Sequence, residues 1–115
     1  MIDWQQVRQL EEDIGIDDFG EVVTLFLAEV DEAIFQLKEN PPIKSEEISA
    51  ALHFLKGSAY NLGFKSFGDF CGIGERHAKN GQLDENGLEE VIDLYQQSKA
   101  IFLDQAAGNC SFSAE

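Results

Sequence analysis

The chain has 115 residues, enough for one domain with a single modest core. It carries 22 Asp and Glu against 8 Lys and Arg, a formal charge of -14, and a field of that sign excludes phosphate backbones and anionic lipid as expected partners. No apolar run is long enough to span a bilayer and no basic segment leads into a hydrophobic signal region, so neither a membrane association nor export is expected and the location is read as cytoplasmic.

Taken in chain order, apolar residues recur at helical spacing throughout. Asp3 is placed to cap a short first helix carrying Trp4, Val7, Leu10 and Ile14, with Gly15 as its stop. Asp17 or Asp18 opens a longer helix in which Phe19, Val22, Val23, Phe26, Val30, Ile34 and Leu37 repeat every three or four residues up to the Asn40-Pro41-Pro42 break. Ser45, followed by Glu46 and Glu47, starts a third helix with Ile48, Ala51, Leu52, Leu55, Ala59 and Leu62 facing inward and Gly63 as its end. Ser66 and Asp69 have the spacing of a capping box for a fourth helix through Phe67, Phe70, Cys71, Gly74 and Ala78, ending at Asn80-Gly81. Asp84 caps a fifth, with Leu88, Val91, Ile92, Tyr95 and Phe102. No segment alternates as a strand does. Short connections between long amphipathic helices predict an all-α fold, an antiparallel up-and-down four-helix bundle with a short additional N-terminal helix. The domain is expected over residues 1–106, and the polar tail 107–115 is expected to be mobile with little to pack against.

The stretch HFLKGSAYNLG, His53 to Gly63, breaks the helical pattern in an informative way. At about 100° per residue, Ala51, Leu52, Leu55, Ala59 and Leu62 share one face. His53 lies opposite, in a stripe with Lys56, Gly57, Tyr60, Asn61 and Phe64, so a core histidine is disfavoured and a solvated surface histidine is the alternative. Gly57 costs about 1 kcal/mol against Ala in a helix interior and clears space beside the imidazole. Lys56, one turn away, could neutralise an anion carried on the ring, although a solubilising role is the simpler reading. Tyr60 and Phe64 suit a docking surface; for Phe64, burial under the following loop is an equal alternative. Charge supports the first reading. Residues 53–81 carry a net +2 and the remainder -16, which concentrates positive charge near His53.

This stretch resembles the signature of the histidine-containing phosphotransfer (HPt) domain family, His-x-x-Lys-Gly followed by small residues and an apolar-Gly pair. The resemblance extends to IDW near the start, LFLAEVDEAIFQL in the second helix and FGDFCGIGERHAKNG in the fourth, covering most of residues 2–81. It implies a four-helix bundle in which His53 accepts a phosphoryl group from a receiver-domain aspartate and relays it to another receiver. Lys56 would neutralise the phosphoryl charge and Gly57 would admit the receiver. A Gln or Glu on the following helix commonly orients the family's histidine, and ungapped counting places Glu75 there.

The same resemblance implies docking of a response-regulator receiver domain on Gly57, Tyr60, Asn61, Phe64 and Lys65, with a hybrid histidine kinase as a further candidate partner and a monomeric carrier. No cofactor is expected on the chain, and Mg²⁺ would belong to the receiver. No Gly-rich phosphate loop is present, so a phosphoryl carrier without autokinase activity is expected. A non-catalytic HPt-like module that binds and modulates a receiver or kinase is the competing reading. A metal site on Cys71, Glu75 and His77 is disfavoured, because His77 points roughly 200° from Glu75 around a helix. Cys71 and Cys110 lie too far apart in sequence and context to suggest a metal-ligand spacing or a disulfide framework.

Overall fold

The computed structural model describes residues 1–42 and 44–112. Five helices follow one another: α1 (Trp4–Ile14), α2 (Ile16–Glu39), α3 (Ser45–Leu62), α4 (Lys65–Lys79) and α5 (Glu85–Asn109), with no strand among the described residues. Helices α2 to α5 form the expected bundle. Each packs on its sequence neighbour, α5 returns to α2, and α1 lies across α2 and α3. Connections of five residues or fewer force neighbouring helices to run antiparallel.

Several boundaries follow from local chemistry. Asp3 accepts from the Gln6 N–H at 3.2 Å and Asp84 from the Gly87 N–H at 2.9 Å, satisfying donors that the first turns of α1 and α5 leave free. Gly15 ends α1 at φ 99°. Gly63 ends α3 at φ 87°, and a Cβ there would lie 2.7 Å from Val7 Cγ2 and 2.8 Å from the Asp3 carbonyl oxygen. Only glycine meets both the left-handed backbone and this close approach of α1.

The core gathers Phe64, Phe67, Tyr95 and Phe102 between α3, α4 and α5, with Val23, Leu52, Leu55, Leu62 and Val91 around them. Each such side chain contributes roughly 1.5–3 kcal/mol on burial. Along α2 the inward face is Phe19, Val23, Leu27, Val30, Ile34 and Leu37; Val22 and Phe26 are only half-buried.

Three expectations require correction. Phe64 does not belong to the exposed stripe: the turn at Gly63 takes it off the α3 spiral and into the core, where it is 1 % exposed against Phe102 and Tyr95. Ser66 does not cap α4, which begins at Lys65, while Asp69 is occupied by Tyr60 and Lys65. The boundary expected at residue 106 falls inside α5, and beyond it the Phe112 ring packs tilted against Phe102, centroids 5.7 Å apart, while the Ser111 N–H donates to Glu11 at 2.7 Å. Residues 113–115 of the expected tail lie outside the described residues.

Candidate functional site

The site is built where α3 and α4 run closest. Three α3 side chains spaced four residues apart lie over glycines of α4: the Tyr60 ring on Gly68, the Lys56 stem on Gly72 and Leu52 on Gly74. A Cβ at those glycines would stand 2.7 Å from Tyr60 Cε1, 3.4 Å from Lys56 Cδ and 3.2 Å from Leu52 Cδ1. The small residues therefore set the helix separation that lets α3 side chains reach across to polar groups of α4.

Glu75 is the centre of that polar group. Its side chain is 9 % exposed, with Oε2 3.1 Å from His53 Nδ1 and Oε1 2.9 Å from Lys56 Nζ. Lys79, one turn further along α4, brings Nζ within 3.4 Å of Oε2. The Lys56 ammonium, followed by that of Lys79, draws the Glu75 carboxyl down to about 2, against the opposing effect of burial. An ionised carboxylate can only accept, so Nδ1 must donate. In the neutral ring Nε2 is then left with its lone pair free. The His53 side chain is 69 % exposed, and the space where a Gly57 Cβ would stand has no neighbour within 4 Å. The imidazole is thus held at one nitrogen and open at the other.

The remaining residues of the expected face divide. Tyr60 is 41 % exposed, its hydroxyl donating to Asp69, which also pairs with Lys65 at 3.1 Å. Tyr60 is thereby fixed over α4, and the Lys65 charge has a local partner. The Asn61 side chain is exposed while its carbonyl oxygen accepts from Gln6 at 3.3 Å. Phe64 is absent from the surface, as described above. Two apolar side chains that the motif did not single out are present instead: Phe54, 45 % exposed beside His53, and Leu25, 62 % exposed, which share a shallow groove between α2 and α3 with Ala28 and Ala33. A second groove runs from His53 along Ser45, Glu46, Ser49 and Ala50 to Glu75 and Lys79. The contact of Lys79 was foreshadowed only by its spacing of four from Glu75. Cys71 is fully buried and its thiol is pushed up to about 12 by that burial.

A model of the Hpt domain matches residues 21–101, a span that holds every residue of this polar group and the whole of α3 and α4. The chain belongs to the Hpt domain family. Comparisons with curated proteins and with solved structures returned no match. Hpt domains serve histidine phosphotransfer in phosphorelays and work with receiver domains. In this Hpt domain α1 lies outside the matched span, yet it fixes the α3 to α4 turn through the Asp3 N–H, which donates to the Gly63 carbonyl at 2.7 Å. None of the described helices is long and apolar enough to cross a membrane.

Proposed function

We propose that this Hpt domain accepts a phosphoryl group on His53 Nε2 from the aspartyl phosphate of one receiver domain and passes it to the aspartate of another. The observation that carries this reading is the pairing of an exposed imidazole with a buried, ionised carboxylate at its Nδ1. Glu75 fixes the tautomer, and Nε2 attacks phosphorus in line as the aspartyl oxygen departs. Lys56 exchanges part of its contact with Glu75 for the incoming phosphoryl oxygens, a charge-assisted hydrogen bond in a partly desolvated contact. Lys79 adds positive charge at Oε2, the carboxylate oxygen that also faces Nδ1. Mg²⁺ is supplied by the receiver.

Receiver docking is assigned to the face around Gly57, Tyr60 and Asn61, extended by Phe54 and Leu25 in place of Phe64, with Lys65 at its margin. An apolar centre with a polar rim is the composition that protein interfaces favour. The proposal is tested by incubating the purified protein, beside His53→Gln, with a receiver domain carrying labelled phosphate. Acid-labile, base-stable label on the wild type and none on the variant is the expected result. Labelling of the variant on another residue removes His53 from the role, and receiver binding without any labelling favours a non-catalytic module.

A further inference from the structure

We infer that the negative charge of Glu75, beyond orienting the ring, keeps phosphorylated His53 ready to give its phosphoryl group away. The inference rests on the phosphoryl-carrier reading above and concerns the donating half of the cycle. When the group leaves, the P–Nε2 bond breaks and its electron pair returns to Nε2, while an oxygen of the acceptor forms the new P–O bond. The ring departs as neutral imidazole only if Nδ1 still carries its proton. Without that proton the leaving group would be an imidazolate, a far poorer one, and the phosphoryl group would be stranded.

The geometry holds that proton in place. Glu75 Oε2 stands 3.1 Å from Nδ1, and among the described residues Glu75 is the one carboxylate within 4 Å of a ring nitrogen of His53. Other charges lie in the grooves on either side of this part of α3. Glu46 of α3 and Lys79 of α4 line the groove on one side, Lys56 stands one turn along α3, and Glu29 and Glu32 of α2 line the groove that contains Phe54 on the other. Once phosphorylated, the ring with its Nδ1 proton is cationic, and an anion at hydrogen-bond distance from a buried position stabilises that form more than a neutral amide would. Lys56 and Lys79 have a second part in this arrangement: by pairing with Glu75 at 2.9 and 3.4 Å they keep the carboxylate ionised. The proton stays on Nδ1 through acceptance and donation, so each transfer returns the ring to its starting tautomer with no proton exchanged with solvent.

Glu75→Gln separates charge from orientation, because the amide oxygen can still accept from Nδ1. Wild type, Glu75→Gln and His53→Gln would be loaded with phosphoramidate, and loss of phosphate to water followed from pH 5 to pH 9. At pH 8 the Glu75→Gln protein is expected to lose phosphate roughly tenfold more slowly than wild type, the factor that one pH unit in ring protonation supplies. The two rates should converge at pH 5, where both rings hold the proton. In Lys79→Gln, an exposed substitution, Lys56 still pairs with Glu75 and the carboxylate stays ionised at pH 8, while one cation that opposes the ring's positive charge is gone, so phosphate loss at pH 8 should be faster than in wild type. Equal rates at pH 8, a slowing that persists undiminished at pH 5, or a slowing in Lys79→Gln would each overturn the inference. The carrier reading fails separately, through wild type that takes no phosphate on His53.

Discussion

Two of the carboxylate-centred clusters that tie the helices of this bundle together are built in opposite senses. On the α2 to α5 side Asp31, with its side chain 43 % exposed, accepts from the Tyr95 hydroxyl at 2.6 Å and from Lys99 at 2.8 Å, and Tyr95 is buried in the core. On the α3 to α4 side the carboxylate of Glu75 is buried and the ring it holds is exposed. The first arrangement fastens a core aromatic from outside, and both burial and the neighbouring carboxylate push the Tyr95 hydroxyl up, so that it stays a donor. The second presents an exposed imidazole from inside. The difference lies in which partner is buried, and it separates a structural clasp from a site in a protein that uses similar side chains for both.

Perturbing each cluster should break function on one side and stability on the other. The largest effect is expected from Gly57→Leu: no atom lies within 4 Å of the added Cβ, so the fold should hold while bulk beside His53 lowers receiver affinity by about 100-fold, or about 2.7 kcal/mol, measured by calorimetry. Normal receiver binding would show that the opening beside the ring is not where the partner sits. Lys56→Ala should slow phosphoryl transfer roughly 10- to 100-fold in rapid-quench kinetics, the scale of losing one charge-stabilising donor, with helical content unchanged. An unaltered rate would leave Lys56 as a partner of Glu75 alone. Tyr95→Phe should cost about 1 kcal/mol in urea unfolding and leave phosphotransfer intact, since it removes one hydrogen bond from the clasp and nothing from the site. The smallest effect is in acid. The folded Glu75 carboxyl lies at about 2 against an ordinary value of 4.5, so its contribution to stability is complete above pH 4.5 and is lost as pH falls toward 2. Wild type and Glu75→Gln should therefore converge in stability over that interval, by an amount kept small by the exposure of Lys79 and the partial exposure of Lys56; parallel curves would argue against the ion pairs.

The contrast also explains what could be read in the sequence. Asp3, Gly15, Gly63 and Asp84 act on backbone groups a few residues away, and each was legible as a helix start or stop. His53 and Lys56 were legible because helical periodicity alone separates them from Leu52 and Leu55. Glu75 needed the family resemblance as a guide to spacing. Phe64 was misplaced because the arithmetic of a straight helix continues past Gly63 and the chain does not. Ser66 and Asp69 fit a capping box by spacing, but burial of Phe64 and Phe67 sets the start of α4, and Tyr60 claims Asp69 from another helix. Asp31 and Tyr95 are 64 residues apart and carry no local signal of their pairing. Phe112 was hidden in the same way, as one aromatic in a polar segment whose burial depends on Phe102 across the bundle end.

Glu75 holds His53 by Nδ1, and the proposed chemistry is left to Nε2; this division of the ring is open to measurement. It is tested most directly by loading the wild-type protein with phosphate and assigning the modified ring nitrogen of His53 by nitrogen-15 and phosphorus-31 NMR. A single species phosphorylated on Nε2 is expected, with the Nδ1 proton shielded from exchange by the carboxylate. Phosphate on Nδ1, or an Nδ1 proton that exchanges as freely as in an unstructured peptide, would contradict it.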